Sequence, residues 1–340
     1  MLGDQDERRG LLRSRDWAEV NREALKSEKL ESSEHWLTPD SYKQCLAEIE
    51  PFIANYNWLW KVLRWRAGLH GGMFPERAYA ALKPFGNQKK PYFIGTTTAG
   101  VKFVGDYRDL YSVLLVVDPS FHLDFVKFIC EKLTARRGKV FIDVGSNMGI
   151  VAASVAKLLG PDYRVIAVEP VHATATRAAA TFALNSLSNV ELFKGAISET
   201  NGEISFFQIP GHSDRASIHA DAIERDQNLI KITVPSRTLD SIADERKLGE
   251  IGFIKFDVEG HEPSAVAGTQ SIIERDKPDI IYEYAFAVAE KMGWEASDVA
   301  ALIGKITPYK FFSMVDDQTL GDFPPPAKNE GLVNIYCSPE

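Results

Sequence analysis

Residues Lys139 to Gly149 read KVFIDVGSNMG, and this stretch restricts the possible folds more than any other. Val140, Phe141, Ile142 and Val144 form a short apolar run rich in β-branched and aromatic residues, the composition of a strand buried on both faces. Gly145 and Gly149 bracket a turn, and the apolar spacing from Ile150 to Leu159 is helical. Strand, glycine turn and helix open a parallel α/β unit, which presents backbone N–H groups and a helix N-terminus to a ligand. Asp143 lies inside the run, where a strand with only a packing role would avoid it.

The same unit recurs. The pattern predicts strands over 164–168, 190–193, 252–256, 279–284, 309–315 and 332–336, with helices over 121–133, 172–184, 262–274 and 295–306. Repeated βα units argue a doubly wound, Rossmann-like α/β sheet with right-handed crossovers. Only a loop containing Pro324-Pro325-Pro326 separates the last two strands, so they must pair antiparallel. An extra hairpin is expected from 204–209 and 230–235, around a polar loop that includes Ser213 to Ser217, and short strands from 92–94 and 101–104. Upstream, Thr38-Pro39-Asp40 opens a helix carrying Tyr42, Cys45, Leu46 and Ile49. A second helical stretch holds Trp58, Trp60, Leu63 and Trp65. The chain thus divides into a helical N-terminal extension, 1–88, serving dimerisation or as a substrate lid, and an α/β domain, 89–340.

The chain has 340 residues and a formal net charge of −8, which argues against a nucleic-acid backbone as main partner. Cys45, Cys130 and Cys337 are too far apart for a metal motif and odd in number, so a reducing, cytoplasmic setting is expected. No apolar run is long enough for a membrane span, and the charged N-terminus does not read as a signal peptide. A homodimer through the N-terminal helices is compatible with the pattern.

In sheets of this kind ligands bind at the carboxyl ends of the strands. Asp143 and the glycine turn arrive there from one strand, and Glu169 from the next. A carboxylate at Glu169 can accept from both hydroxyls of a ribose, so turn and acid together point to an adenosine cofactor. A nicotinamide dinucleotide requires G-x-G-x-x-G, and Asn147 stands where its middle glycine would meet the pyrophosphate. Asp143 would also set negative charge beside that pyrophosphate. It suits a cofactor with an ammonium and a sulfonium, namely S-adenosyl-L-methionine.

With FIDVGSNMG, AVEP (Ala167 to Pro170), TLDSI (Thr238 to Ile242) and IKFDVEGHE (Ile254 to Glu262) in this order, the sequence resembles the FkbM family of S-adenosylmethionine-dependent methyltransferases over roughly residues 90 to 340. His261 departs from the smaller or apolar residue more usual there. The resemblance implies a class I methyltransferase fold, a mostly parallel seven-stranded sheet with helices on both faces. It also implies O-methylation of a small molecule, sugar or glycan. Carried over, Asp143, Gly145, Ser146, Asn147 and Gly149 would hold the methionine end of the cofactor and Glu169 its ribose. Gly195 and Ala196 would border the adenine, and Asp257 would lie beneath the methyl group.

A hydroxyl acceptor must be placed in line with the methyl and relieved of its proton. His261, Asp257, Glu259 and Glu283, all at strand ends, are the candidate bases. Among them His261 is taken as the base, because an unperturbed imidazole titrates close to neutral pH, with Glu259 or Asp257, directly or through a metal, as the alternative. No metal ligand set is assigned, although Asp257, Glu259 and Glu283 could hold Mg2+ through oxygen ligands. Asp240-Ser241 is expected to cap a helix, and His122 and His172 to lie at the surface or at helix ends. The competing readings are an NAD-dependent oxidoreductase, a non-catalytic cofactor-binding scaffold and a nucleic-acid methyltransferase. The last lacks an N/D-P-P-Y/F/W stretch.

Overall fold

The computed structural model describes residues 35–54, 89–208, 216–217, 230–325 and 331–340. The expected helical stretch around Trp58 to Trp65 and most of the polar loop at 209–229 lie outside them. The first elements are β1 (Trp36–Leu37) and α1 (Pro39–Ile49), whose first turn is closed by Ser41 Oγ accepting the Thr38 N–H at 2.9 Å. A hairpin of β2 (Tyr92–Thr96) and β3 (Lys102–Asp106) follows, then α2 (Leu110–Val117) and α3 (Leu123–Thr134). The alternating core begins with β4 (Val140–Val144), α4 (Ile150–Leu159), β5 (Arg164–Val168), α5 (His172–Leu184) and β6 (Val190–Phe193). The expected excursion is a separate small sheet of β7 (Ala196–Ile197), β8 (Gly202–Gln208), β9 (Ala216–Ser217) and β10 (Ile230–Arg237). The chain then returns through α6 (Leu239–Glu245), β11 (Ile251–Phe256), α7 (Glu262–Ala267), α8 (Gln270–Asp276) and β12 (Asp279–Ala285). It closes with α9 (Phe286–Met292), α10 (Ala296–Ile306), β13 (Tyr309–Met314), β14 (Leu320–Gly321) and β15 (Leu332–Pro339).

Among the described residues the main sheet has nine strands, in the order β1-β6-β5-β4-β11-β12-β15-β13-β14. This corrects the expectation of seven. The two additions are the two-residue edge strands β1 and β14, too short to leave a periodic signal in sequence. The sheet is mixed: β6, β5, β4, β11 and β12 run parallel, and β15 is inserted antiparallel between β12 and β13. Alternate residues of the strands enter opposite cores, because side chains alternate across the pleat. Phe141 and Phe253 pack with α3, α4 and α5, whereas Ile142, Val144, Ile254 and Phe256 pack with α6, α7, α8 and α10. Each such side chain contributes about 1.5–3 kcal/mol by its burial.

Three local departures have physical causes. The helix expected over 262–274 is two helices, because the chain closes at Gly268 on the backbone of Ser198; a Cβ there would lie 2.1 Å from the Ser198 carbonyl oxygen. Asp240-Ser241 does not cap its own helix. Thr238 does, with Oγ1 accepting the Ser241 N–H at 3.0 Å, while the Asp240 carboxylate accepts from Ser271 N–H (2.9 Å) and Ile272 N–H (3.0 Å) at the start of α8. Helix α9 was not expected, since FAVAEKM directly continues an apolar strand. At the far edge, β1 pairs antiparallel with β6, and the Tyr42 hydroxyl donates to Val190 O at 2.9 Å.

Candidate functional site

A cleft of about 730 Å³ opens over the carboxyl ends of β4, β5, β6, β11 and β12. It brings together eleven of the twelve residues singled out in sequence. Asp143, Gly145, Ser146 and Asn147 come from the β4 turn, Glu169 from the end of β5, and Gly195 and Ala196 from beyond β6. Asp257, Glu259 and His261 follow β11, and Glu283 lies in β12. Gly149 does not border the cleft. Its φ of +77° turns the chain into α4, and a Cβ there would meet the Phe182 ring at 2.7 Å, so its part is backbone geometry.

The turn differs from an anion cradle. Gly145 and Ser146 N–H both donate to Val168 O, at 3.0 and 2.9 Å, and Asn147 N–H donates to Glu169 Oε2 at 2.9 Å. These amides are spent inside the protein. The polar atoms left over are of another kind: Asp143 Oδ1 and Ser146 Oγ are buried without a hydrogen-bond partner. Asp143 Oδ2 accepts the Ala152 N–H at 3.1 Å in the first turn of α4. Gly145, at φ +81°, lies against the next strand end, since a Cβ would fall 1.7 Å from Asp257 O. Glu169 is buried, with Oε1 accepting the Val171 N–H at 2.9 Å. Burial raises its pKa to about 7 against the pull of the Val171 and Asn147 N–H bonds. Each carboxylate oxygen still has a lone pair to spare for a ligand hydroxyl.

A chain of charge crosses the floor of the cleft. Lys255 pairs in parallel register with Asp143, and its Nζ lies 3.6 Å from Asp143 Oδ1 and 2.9 Å from Asp257 Oδ2. Burial works against the lysine's charge, but Asp257 and Asp143 outweigh it and hold its pKa above that of an ordinary lysine. Burial also raises the Asp143 pKa, with Lys255 opposing. Burial and the neighbouring Asp257 carboxylate push the Glu283 pKa well above the ordinary carboxylate range.

The DVEGHE segment forms a tight turn. Glu259 and Gly260 are both left-handed, at φ 54° and 96°. For a glutamate this conformation costs about 1–3 kcal/mol, so the surrounding contacts must impose it. Buried Glu262 accepts the Val258 N–H at 2.9 Å, Trp294 Nε1 donates to Gly260 O at 3.2 Å, and His261 Nε2 lies 3.0 Å from Ser198 Oγ. Burial lifts the Glu262 pKa to about 7. Asp257, Glu259 and Glu283 offer oxygens within 4.8 Å of one another. The donor set does not fit a divalent cation well. Asp257 already has the Lys255 ammonium at 2.9 Å, and burial and Asp257 both work against a charged Glu283.

Sequence reasoning missed Lys255 and the wall contributed by α2 and the start of α3. Tyr111, Phe121, His122 and Phe125 line the cleft there. His122 was expected at the surface or as a cap. It precedes α3 with a φ of 68°, makes no capping bond with its side chain, and lies half-buried with Nε2 2.9 Å from Tyr111 Oη. Lys255 carried a legible signal, a lone base in one apolar strand at the position matching the lone acid of another. His122 carried none, because only the tertiary fold brings its loop to the cleft.

Sheet and cleft define an α/β protein that takes its ligand over the carboxyl edge of a doubly wound sheet. Residues 143–310, about half of the chain, match the model of the methyltransferase FkbM domain, so the chain carries a domain of that family. No curated protein matches the sequence. Among solved structures it is similar to methyltransferase FkbM from Methylobacillus flagellatus KT, with 18% identity and a TM-score of 0.42, covering 68% of this chain and 53% of that one. The chain therefore spans about half the length of that protein. It is similar also to an O-methyltransferase from Bacillus cereus in complex with SAH, with 12% identity, a TM-score of 0.38 and coverages of 66% and 82%. A third likeness is to a SAM-dependent methyltransferase from Agrobacterium tumefaciens, with 9% identity, a TM-score of 0.39 and coverages of 73% and 70%. Among the described residues, no helix is long and apolar enough to cross a membrane.

Proposed function

We propose that this chain is an S-adenosylmethionine-dependent O-methyltransferase of class I architecture, acting on a hydroxyl of a small molecule, sugar or glycan. The observation that carries the cofactor is the glycine turn, whose Gly145, Ser146 and Asn147 amides are spent on Val168 O and Glu169 while carboxylates line the cleft. A pyrophosphate needs free N–H donors there, whereas a cationic amino-acid tail needs acceptors. Asp143 Oδ1 and Ser146 Oγ, which accept no hydrogen bond within the protein, are acceptors of this kind. When bound, the cofactor supplies an electrophilic methyl group on a sulfonium.

The residues divide the work. Asp143, Ser146 and Asn147 would hold the amino-acid end and Glu169 the ribose hydroxyls. Gly195 and Ala196 would border the adenine; a Cβ at Gly195 would press on the Phe193 ring at 2.6 Å and on Pro235 O at 2.7 Å. Asp257, fixed by Lys255, would lie beneath the reacting centre. Glu259, Glu283 and His261 close the acceptor side, and their contribution is mainly placement of the hydroxyl. In this reading residues 89–340 carry the catalytic fold, and 36–49 of the appended 1–88 seal the sheet edge. The free thiols of Cys45, Cys130 and Cys337 suit a reducing cytoplasm.

Calorimetric titration with S-adenosylhomocysteine and with NAD tests the cofactor, and binding of NAD alone would defeat the proposal. Incubation with methyl-tritiated S-adenosylmethionine and a panel of polyols, glycans and phenols then identifies the acceptor by transferred label.

A further inference from the structure

The wall of the cleft formed by α2 and the start of α3 contains a second imidazole with the features of a proton acceptor. The Tyr111, His122 and Phe121 rings form one cluster, with His122 at 4.2 Å from Phe121 and 5.9 Å from Tyr111 between centroids. The His122 Nε2 to Tyr111 Oη distance is 2.9 Å, and among the described residues Nδ1 makes no hydrogen bond. The left-handed backbone at His122, φ 68°, is one that histidine tolerates better than most side chains, and the ring it carries lines the cleft. Lys255 and Asp257 lie close enough for both charges to act on this ring.

We propose that His122 is the base that receives the acceptor's proton, with Tyr111 as the positioning residue that sets its tautomer. This rests on the methyltransferase reading above. In this arrangement Nε2–H donates to Tyr111 Oη, which leaves the Nδ1 lone pair for the substrate, the way a partner on one ring nitrogen fixes the chemistry of the other. As the acceptor oxygen bonds the methyl carbon, the carbon–sulfur bond breaks with its electron pair remaining on sulfur. The hydroxyl proton passes to Nδ1 and from there to solvent. An oxygen being alkylated becomes strongly acidic, so a weak base in the right place suffices. Tyr111 on α2 contacts the His122 ring, and Lys255 and Asp257 at the end of β11 line the same cleft and act on it by charge. Burial and Lys255 lower the His122 pKa to about 4, against Asp257, so the ring is neutral at working pH. His261 Nε2 likewise lies 3.0 Å from a hydroxyl, Ser198 Oγ, in the turn before α7.

The test needs no acceptor at its first stage. In full-length protein with ¹⁵N-labelled histidine, signals are assigned with the His122→Asn variant, since asparagine also tolerates a left-handed backbone. His122 is expected as the neutral Nε2–H tautomer between about pH 5.5 and pH 8, where an ordinary histidine titrates. Tyr111→Phe is expected to mix the two tautomers. A charged His122 at about pH 6, or an Nδ1–H tautomer, overturns the proposal. With the acceptor found in the screen, His122→Asn is expected to lower kcat by about 10²–10⁴-fold while S-adenosylhomocysteine affinity stays within about twofold. Intact affinity with unchanged kcat defeats the assignment alone. Wild-type protein that fails to bind S-adenosylhomocysteine defeats the methyltransferase reading itself.

Discussion

Replacing Lys255 by methionine tests the charge chain directly. The lysine side chain is 8% exposed, and it neutralises Asp143, 1% exposed, at 3.6 Å and Asp257, 30% exposed, at 2.9 Å. Removing one partner of a buried ion pair costs about 3–5 kcal/mol, because the remaining charge stays desolvated. Asp257 can recover hydration, so the lower end, about 3 kcal/mol, applies here. Against a total stability of about 5–15 kcal/mol this is a large loss, and for a chain of 340 residues it corresponds to a fall of roughly 4 °C in Tm. The cost depends on pH. Burial already raises the Asp143 pKa, and without Lys255 it rises further. The folded variant then holds a proton that the unfolded chain releases near pH ~4, so its stability falls as pH rises above that value. Lys255 itself has a raised folded pKa, so its contribution is fully present below about pH 10 and the wild type loses none of it between about pH 5 and pH 8. Urea unfolding at these two pH values should therefore show the larger deficit at the higher one, and Lys255→Met/Asp143→Asn should regain most of it. A deficit below about 1 kcal/mol at the higher pH, or one that grows on acidification, would refute the reasoning.

Three further outcomes follow from the geometry. Glu169 needs its carboxylate to accept ribose hydroxyls, and burial sets its pKa at about 7. S-adenosylhomocysteine affinity should therefore weaken by up to about tenfold per pH unit below that value, and this dependence should vanish in Glu169→Gln; calorimetry across the range decides it. Asp240→Ala removes the acceptor for two amides at the start of α8 and should cost about 1 kcal/mol in denaturant unfolding, with methyl transfer unchanged. Excess chelator should leave methyl transfer intact, since the Lys255 ammonium already pairs with Asp257 and burial works against a charged Glu283; loss of activity restored by Mg2+ would show the acidic cluster to be a metal site after all.

How much of this was legible in sequence depended on whether a feature was periodic. β4 through β6 and β11 through β13 could be read almost to their ends, because strands buried on both faces are continuous apolar runs with abrupt stops. The antiparallel placement of β15 followed from loop length alone. The split between α7 and α8 was hidden, since Gly268 inside a helical pattern gives no hint that it will meet the backbone of Ser198. At the site, residues adjacent to strand ends were legible because the fold class places them. The aromatic wall of Tyr111, Phe121 and His122 was not, because its position depends on how α2 and α3 pack beside the sheet. The use of the glycine turn was read only partly. Its ligand preference could be inferred from Asp143 and Asn147, but its amides were expected to face a ligand, and they bind Val168 O and Glu169 instead.

The insertion of β15 between β12 and β13 has a consequence for synthesis. On the ribosome β12 emerges well before Leu332–Pro339, the segment that finally covers its edge. At about 5–20 residues per second, the intervening chain takes on the order of several seconds to appear. Throughout that interval the backbone edge of Ile280, Ile281 and Tyr282 has no strand to pair with on that side, and an unpaired apolar edge is a template for a neighbouring chain. The last eight paired residues thus act as a latch that closes the β12 edge and joins β13 and β14 to the strands already assembled. Nascent chains stalled before Leu332 are expected to be the species that chaperones hold.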